Sequence, residues 1–584
     1  MYHRIEEYLE KNWMAAPIIL ALIAFMTFFT SLPNGLVLDD ASQVTNNVQV
    51  TTFNIPQIFL GSSFGLQGTT KTAGVYYKPL MTTAYAVVYK LSGANPSSFH
   101  LLQILLHMAN TILVFYIFKK FFKPSVSLLG AVLFAIHPLN AESVLYISAL
   151  QEPLFFVFGA IGFLIICREN LGKKELLASA ILFTLSLLSK ETGVLFIVAA
   201  LLYQIVVLGK KSRLYRLGMS LIPVFGLYAF MRIMTVGLIP TSHDKPYPIM
   251  RLSLLWRILN VPAEFYYYLR NFFVPYDFAV AEHWVVKSLT PQDFYLPLAI
   301  DLLFVGAVSY IAFRLYKKKM AEAHAFLFFA LLFFIGMAAH MNVFPLDVTV
   351  ADRWFYFPAV GMIGMLGVFF TSFRFEHKTE FVIVSIILLS LLCARTVVRT
   401  LDWRDGLTLD LRDIKYSKDS FPLENNLGYE YIIREQYDLA EPHVRKSTEL
   451  GPWWWLNWNN LGSIYRHKGY AEDPKYYQQA EEYFLKAVNN TTFYLPYENL
   501  ADLLVNYGSP QRAQEFIIKT SHKIDLSGML WFDLALAQLQ LKDTNGALQA
   551  AYQSSLLMPN DPRAGQLYEA IKTGKQIILN KPKY

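Results

Sequence analysis

Eleven long apolar runs limit the fold of this chain more than any other feature of its sequence. A helix needs about 20 apolar residues to cross a bilayer, and lipid offers no hydrogen-bond partner to any other backbone conformation. The sequence therefore predicts an all-α, polytopic membrane protein with about eleven spans. The runs cover residues 14–33, 100–118, 125–137, 143–167, 175–189, 193–208, 217–237, 295–313, 324–341, 355–373 and 380–399.

Composition excludes several other classes of protein. Of the 584 residues, 54% are hydrophobic and only 16% are charged, which is too apolar for an ordinary soluble chain. The net charge of +7 does not indicate nucleic-acid binding, because the Lys and Arg residues stand in short clusters between apolar runs. The two cysteines, Cys167 and Cys393, lie in or beside those runs and indicate neither a disulfide framework nor a thiolate metal site.

The cationic clusters occur in alternate connections, as expected for the cytoplasmic side of a membrane protein. Every other connection and the C-terminal region are then extracytoplasmic. The aromatic stretch 254–274 is interpreted as an interfacial helix, because a twelfth span would move the 314–319 cluster outside. The clusters contain Lys119, Lys120 and Lys123; Arg168, Lys173 and Lys174; Lys210, Lys211, Arg213 and Arg216; Arg314, Lys317, Lys318 and Lys319; and Arg374 and Lys378.

From about residue 401 the chain turns polar and a repeat begins, which predicts a membrane domain at 1–400 and a repeat domain at 401–584. A leucine followed by a small residue recurs at separations of 34, 39 and 34 residues, the period of tetratricopeptide helix pairs. About four units should stack as a short solenoid that binds peptide, or that serves only structure or oligomerisation. The repeated pairs are Leu427-Gly428, Leu461-Gly462, Leu500-Ala501 and Leu534-Ala535, and Ala440, Ala513 and Ala547 follow three of them.

The tryptophan-rich segment 453–458 of this domain reads WWWLNW. Its aromatic surface suits an extended peptide or glycan. Burial between repeats, or contact with the membrane, is an equally reasonable interpretation of these side chains.

Two adjacent carboxylates, Asp39 and Asp40, follow the first apolar run within the segment 36–50. Such a pair can act as a general base, bind a metal or cap a helix. Acidic, basic and imidazole groups recur in other connections on the same predicted side of the membrane. If they converge, the site combines candidate bases with cations suited to a phosphate. These groups are His137, Glu142, Lys190, Glu191, Asp347, Asp352 and Arg353.

A polar stripe lies along the second apolar run. His100, Gln103, His107 and Asn110 are three or four residues apart, so they share one helix face that points into the bundle. Interhelical hydrogen bonding is the ordinary role for such a stripe. His107 is also a candidate member of the site.

An ordered set of motifs resembles the transmembrane and tetratricopeptide-repeat-containing O-mannosyltransferases and their bacterial relatives, within the GT-C superfamily. The resemblance extends over nearly the whole chain, including the repeats. Each motif alone is weak, whereas the ordered set is specific. The motifs are DDASQVTNN at 39–47, YYKPL at 76–80, NPSSFHLLQILLHMAN at 95–110, LFAIHPLNAESVLYIS at 133–148, LSLLSKETG at 185–193 and ADRWFYFPAVG at 351–361.

The resemblance implies an inverting transfer of a mannose-like sugar from a polyprenyl phosphate to a protein hydroxyl on the extracytoplasmic side. It implies Asp39 and Asp40 as catalytic residues, with Asp39 favoured as the base. A metal is compatible with the aspartate pair but is not favoured. The candidate donor-binding residues are Arg353, Lys190, His137, Glu142, Glu191, Asp352, Tyr356 and Lys78, with His107 added from the polar stripe.

One segment departs from the family pattern. Relatives commonly have an arginine shortly after the HPxxxE motif, whereas this chain reads ALQEP at 149–153, with an acid, Glu152, and no cation. The departure leaves open which groups hold the donor phosphate. The expected mechanism uses Arg353 with Lys190 as its helper.

Two other functions remain open from the sequence. The first is a transferase of the same superfamily acting on a lipid or glycan acceptor, and the second is a non-catalytic scaffold acting through its repeats. The expected partners are the lipid-linked donor and an acceptor held by the repeats, with no nucleic acid. The expected location is a bacterial inner membrane, since no ER-retrieval tail is present.

Overall fold

The computed structural model describes residues 14–63, 76–236, 245–280, 282–318, 320–372, 378–417, 419–559 and 561–575, together with three positions near the N-terminus. Within these ranges every regular element is a helix, and one isolated bridge joins Glu282 to Val350. The predicted all-α class is confirmed.

Nineteen α-helices, with seven short 3₁₀ or π segments between them, make up the part of the chain described from residue 15 to residue 416. Many begin with proline at the first helical position, where its missing N–H costs no hydrogen bond. The helices are α1 Ala15–Phe28, α2 Asp40–Gln43, α3 Val48–Thr51, α4 Ile55–Leu60, α5 Pro79–Ser92, α6 Pro96–Phe118, α7 Pro124–Ile136, α8 Ala141–Leu145, α9 Gln151–Ile166, α10 Lys173–Ser189, α11 Val194–Leu202, α12 Lys211–Thr235, α13 Pro248–Arg251, α14 Leu254–Phe273, α15 Leu296–Lys318, α16 Met320–Ala338, α17 Pro358–Ser372, α18 Lys378–Asp402 and α19 Gly406–Asp413.

Each of the eleven apolar runs contains a helix, but the count of eleven spans is not confirmed. Among the described residues, seven helical segments are long and apolar enough to cross a membrane, and an eighth is counted if the pair Pro124–Ile136 and Pro138–Leu145, bent by 54°, is one span. Two further apolar helices, Ala15–Ser31 and Pro358–Ser372, are shorter. The chain is an integral membrane protein.

Aromatic side chains and close helix contacts build the membrane core. Phe121 stacks on Phe328 with ring centroids 5.2 Å apart, and Phe122 stacks on Phe329 at 5.8 Å. At Gly361 an added Cβ would lie 2.5 Å from the backbone nitrogen of Phe333, so α16 and α17 approach more closely than a larger residue allows.

The chain divides between Tyr416 and Ser417 into two compact units, apart from a few residues of the first loop. This division lies 16 residues beyond the predicted boundary at 400/401. The difference arises because α19 joins the first unit: Arg399 donates to both oxygens of Asp413, at 2.6 and 3.1 Å, and Val280 N–H donates to Asp413 at 2.9 Å. The assignment of functions to the two units stays a prediction.

The second unit consists of four helix pairs and a final helix. Ser420, Ser527, Asp543 and Asp561 cap helices with side-chain oxygens that accept from backbone N–H groups. The helices are α20 Phe421–Ile432, α21 Tyr437–Leu450, α22 Trp455–Ala471, α23 Tyr476–Asn489, α24 Tyr494–Tyr507, α25 Pro510–Ser521, α26 Gly528–Gln540, α27 Thr544–Leu557 and α28 Pro562–Thr573.

The repeated small residue explains how the two helices of a pair pack. An added Cβ at Gly428 would lie 2.3 Å from a methyl of Val444, and one at Gly462 would lie 2.6 Å from the Phe484 ring. The leucine before each small residue is buried, and Leu461, Leu500 and Leu534 share one core. A small residue is therefore needed at this position for the two helices of a pair to pack closely. This agrees with the helix pairs that the repeat period predicts.

The tryptophan-rich segment packs largely within its own unit. Trp454 is buried against Phe421 at 5.1 Å, Trp455 contacts Phe493 at 5.2 Å, and the Trp458 indole N–H donates to Pro452 at 2.8 Å. These contacts favour the structural interpretation of the segment.

Candidate active site

Asp40 opens the short helix α2 and is completely buried. One of its oxygens accepts from the Ser148 N–H at 2.8 Å and from the Ser148 hydroxyl at 2.7 Å, and the other accepts from the Val37 N–H at 3.1 Å. Burial raises the pKa of Asp40 to about 7, although these hydrogen bonds oppose the shift. Asp40 thus joins the first loop to the segment before α9.

Asp39 is exposed to solvent, although protein surrounds it on most sides. The Tyr146 hydroxyl donates to its carboxylate at 3.2 Å. Its side chain makes no helix-capping hydrogen bond, so the capping interpretation does not account for it. The protein around the carboxylate partly desolvates it and so raises the pKa of Asp39, and Asp347 adds to the shift, whereas Tyr146, Arg353 and Lys78 oppose it. A reachable carboxylate with a raised pKa is suited to accept a proton.

Arg353 is held by Glu142, which is 4% exposed. One Glu142 oxygen pairs with the Arg353 guanidinium, and the other accepts from the Arg353 N–H at 2.9 Å. Asp352 accepts from the Tyr267 hydroxyl at 2.9 Å, and Ala351 exchanges hydrogen bonds with Tyr268. Both tyrosines lie on α14, which therefore positions the ADR motif. The location of α14 at a membrane interface stays a prediction.

The two charges of the SKETG motif are both paired. The Lys190 ammonium lies 2.5 Å from Glu152, a buried carboxylate, and Arg232 of α12 lies 2.5 Å from Glu191. Glu152 is the acid that stands in the segment where the family pattern has a cation. Because of this departure from the family pattern, the charge of Lys190 is balanced by an ion pair with Glu152. Lys190 is therefore less able to stabilise a phosphate than the sequence predicts.

Lys78, just before α5, is different from these cations. Among the described residues it has no carboxylate within ion-pair distance, and its ammonium lies 4.7 Å from the centre of the Tyr76 ring. Burial lowers its pKa and Lys190 adds to the shift, while Glu191 and Asp347 oppose it. An unpaired ammonium in such a place is suited to an anionic ligand.

The predicted site residues come together from five separate segments. Asp39 interacts electrostatically with Lys78, Asp347 and Arg353, and Lys78 interacts with Glu191. We call Asp39, Lys78, Glu191, Asp347 and Arg353 the Asp39 cluster. Its members lie at the start of α2, before α5, between α10 and α11, and before α17, whereas the predicted cytoplasmic cations Lys173, Lys174 and Lys210 stand at the other ends of α10 and α11.

His137, His107 and Tyr356 lie outside this cluster and are buried. His137 Nδ1 accepts from the Leu139 N–H at 3.2 Å, and its Nε2 bonds to the Phe272 carbonyl at 3.0 Å. His107 bonds to Tyr356 at 2.8 Å and to the Ala135 carbonyl at 3.0 Å, and Asn110 also donates to Tyr356. This geometry favours interhelical hydrogen bonding for the polar stripe and a structural role for His137.

Several residues of the site were missed by sequence reasoning. Tyr146 lies inside a quoted motif, and Tyr76 donates to Asp347 at 3.0 Å from the YYKPL motif. Arg232 could have been found, since a lone arginine near the end of an apolar run is costly without a function or a partner. Tyr267 carried no such signal, because a tyrosine is ordinary in an amphipathic helix.

Among the described residues, no group of three His, Cys, Asp or Glu side chains is arranged to hold a metal ion. The two aspartates of the first loop differ in environment, since Asp40 is occupied by its three donors. The Asp39 cluster contains carboxylates, which can accept a proton, and cations, which can bind a phosphate.

Comparison with known proteins was consistent with this chemistry. Residues 78–235 match a family described as dolichyl-phosphate-mannose-protein mannosyltransferase. This range contains Lys78, Glu142, Lys190 and Glu191 of the site and ends before Arg353.

Two curated relatives align over more of the chain. Protein O-mannosyl-transferase F38B6.6 of Caenorhabditis elegans is 24% identical over 70% of this chain and 59% of its own length. Protein O-mannosyl-transferase TMTC3 of Homo sapiens is 20% identical over 91% of this chain and 66% of its own length. The chain thus spans less than two thirds of the length of either relative.

One solved structure, of the APC/C hetero-tetramer Cut9-Hcn1, aligns with 84% of this chain and 92% of its own at 15% identity. Its TM-score is 0.28, too low to carry an argument about the fold.

Proposed function

We propose that this chain, a relative of the protein O-mannosyltransferases, is a membrane glycosyltransferase that moves a sugar from a polyprenyl phosphate to a protein hydroxyl. The main support is the Asp39 cluster, in which an exposed carboxylate lies near Arg353 and near Lys78, a cation that no carboxylate among the described residues pairs with. Mannose is the proposed sugar, in line with the description of the matching family.

The proposed reaction is a single displacement. Asp39 takes the proton of the acceptor hydroxyl. At the same time the hydroxyl oxygen bonds to the anomeric carbon of the sugar, and the bond from that carbon to the phosphate oxygen breaks. The electron pair leaves with the polyprenyl phosphate, whose charge is stabilised by Lys78 and Arg353. Arg353 is paired with Glu142, but its guanidinium has five N–H groups and Glu142 accepts from one of them, so the others can donate to the phosphate. Lys78 takes the helper role expected of Lys190, because Lys190 is neutralised by Glu152. Side-chain cations can stabilise this leaving group, so we propose no metal.

The buried Asp40 is proposed to position Asp39. Its three hydrogen bonds hold the start of α2 against Ser148, and Tyr146 orients the Asp39 carboxylate from the same segment. A fixed orientation of the base raises the rate because the reacting atoms need no further ordering. Asp40 has no surface through which an acceptor could reach it.

The second unit is proposed to hold the protein acceptor. Its helix pairs offer an extended surface of the kind that binds peptides, although the tryptophan-rich segment contributes mostly internal packing. The proposed location of the cluster and of this unit is the extracytoplasmic side of a bacterial inner membrane, which rests on the alternating cations.

The test is a reconstituted transfer assay. The full chain in liposomes receives polyprenyl-phosphate mannose and a Ser/Thr-rich peptide, and mass spectrometry follows the peptide, the lipids and the glycans. Mannosylated peptide, lost in Asp39→Asn, is the expected result. Mannose found only on lipid or glycan would contradict the protein acceptor, and no consumption of donor would contradict the enzyme and favour a scaffold.

A chain ending at Tyr416 addresses the acceptor role of the second unit. Once its folding has been verified by melting, it should still bind the donor but lose transfer to the peptide. Peptide transfer equal to that of the full chain would refute acceptor binding by the repeats.

A further inference from the structure

His340 is a buried imidazole beside the Asp39 cluster that the proposed mechanism does not use. It follows the end of α16, is 5% exposed, and stacks on Trp354 with ring centroids 5.1 Å apart and an interplanar angle of 20°. Trp354 directly follows Arg353 in the chain. The imidazole therefore lies within the part of the protein that is proposed to hold the donor.

One hydrogen bond determines which ring nitrogen of His340 carries the proton. Nδ1 lies 3.1 Å from the carbonyl oxygen of Gly336, and a carbonyl oxygen can only accept. Nδ1 is thus the donor and Nε2 of the neutral ring presents a lone pair. The nearby cations Lys190 and Arg353 disfavour a second proton on the ring, so it is treated as neutral.

Nε2 has no hydrogen-bond partner among the described residues, although it is buried. A buried acceptor without a donor costs free energy, so it needs either a water or a ligand group. The ligand group must be a donor. The phosphate of a glycolipid offers only acceptor oxygens, whereas its sugar offers hydroxyl groups, and the sugar is bonded directly to that phosphate.

We propose that His340 Nε2 accepts a hydrogen bond from a hydroxyl of the transferred sugar and so helps to select that sugar. The inference rests on the proposed function, because it needs the donor phosphate to lie beside Arg353. His340 is here a specificity-determining residue. The hydroxyl group completes the hydrogen bonding of the imidazole, while the neighbouring cations hold the phosphate.

The experiment uses the full chain in nanodiscs with polyprenyl-phosphate mannose and its four monodeoxy analogues, lacking the 2-, 3-, 4- or 6-hydroxyl. In the unmodified protein, one deoxy donor should lose about 10- to 100-fold in kcat/KM, since it leaves Nε2 unpaired. In His340→Phe, which preserves an aromatic ring beside Trp354, the same donor should react as well as mannose does. His324→Phe, in the helix α16 that precedes His340, is the matched control and should keep the discrimination.

The outcomes separate this inference from the proposed function. Equal kcat/KM for all five donors in the unmodified protein would overturn the inference while leaving the transferase intact, and it needs no variant to fold. An equal loss with every donor in His340→Phe would also overturn it and indicate a structural role or proton transfer. No turnover of the mannose donor by the unmodified protein would overturn both.

Discussion

At the scale of single residues, burial separates two neighbouring aspartates that the sequence treats alike. Asp40 is fully buried with three donors, whereas Asp39 is exposed and has one side-chain donor, Tyr146. A base must be reached by its substrate, and only Asp39 meets this condition. The two residues should therefore fail in different ways when they are altered.

Asp39→Asn should lower turnover by about 10²- to 10⁴-fold, the usual effect of losing a general base, with unchanged melting. Asp40→Asn should lower the melting temperature, because its amide would turn a donor towards the Val37 N–H or towards Ser148. Transfer assays and thermal melting of both variants provide the measurement. Normal turnover in Asp39→Asn, together with loss of turnover in a normally melting Asp40→Asn, would exchange the two roles.

The pH dependence of kcat/KM follows from the same assignment. The folded pKa of Asp39 lies above its ordinary value, and a base works only when deprotonated. Activity should therefore fall as pH decreases through that raised pKa, at a higher pH than an ordinary aspartate gives. An acid limb at the ordinary value of about 3.9 would contradict the raised pKa.

The cations offer a second comparison between residues. Lys78→Met should weaken binding of the donor lipid by about 10- to 100-fold without lowering the melting temperature, because no carboxylate loses its partner. Lys190→Met should instead destabilise the protein by about 3 to 5 kcal/mol, since the buried Glu152 is left unpaired. Donor binding by calorimetry and melting distinguish the two. A destabilised Lys78→Met with normal donor affinity would contradict the proposed phosphate site.

At the scale of elements, the short and the amphipathic helices matter more for the site than the long apolar ones. α2 presents Asp39, and α14 holds the ADR motif through Tyr267 and Tyr268. The long helices supply ends at which the charged residues can meet. In the second unit, one helix, α26, carries a buried carboxylate, Asp533, whose effect on stability can be tested in the same way.

Asp533 of α26 is 2% exposed, and its Oδ2 has no hydrogen-bond partner in the described part of the chain. Burial raises the pKa of Asp533 well above its ordinary value, and Asp502 and Glu498 add to the shift. The folded state therefore binds the proton more tightly than the unfolded state. The free energy of unfolding therefore decreases as pH rises from the pKa of Asp533 in the unfolded state towards its pKa in the folded state. Above both pKa values the destabilisation by Asp533 is complete.

Asp533→Asn should consequently raise the melting temperature of the second unit at pH 8 by about 3 to 6 °C, and by less at pH 5. Glu482→Gln, an exposed acid on α23, is the matched control with the same change of charge. Hydrogen exchange of α26 during heating of the full chain gives the measurement. An equal shift at both pH values, or in the control, would show that net charge and not burial is the cause.

At the scale of the whole molecule, the membrane topology decides whether the site and the second unit share one side. After replacement of Cys167 and Cys393, single cysteines near Lys211 and Lys318 should be shielded from an impermeant thiol reagent in intact cells. A cysteine near Pro559 should react, because an odd number of spans places the C-terminal unit outside. A shielded cysteine near Pro559 would show that the span count is wrong by one. Asp244, another predicted outer position, lies outside the described residues.

The sequence by itself determined the features that depend on neighbouring residues in the chain. Apolar length predicted the membrane helices, and the period of about 34 residues predicted the helix pairs of the second unit. Both are local properties, because a helix satisfies its own backbone hydrogen bonds and a repeat packs against the next repeat. The motifs likewise named most members of the Asp39 cluster, although their roles stay predictions.

Only the tertiary structure decided which charges are free and which are paired. Nothing near Lys190 in the chain reveals that it pairs with Glu152, 38 residues away. Nor does the sequence reveal that Lys78 has no carboxylate partner in the part of the chain that the structure describes. Accessibility separates Asp39 from Asp40 only after Ser148 has been packed against the first loop, 108 residues distant in sequence. The free energy of a charge depends on the groups and the solvent around it, and folding brings those groups together from distant segments.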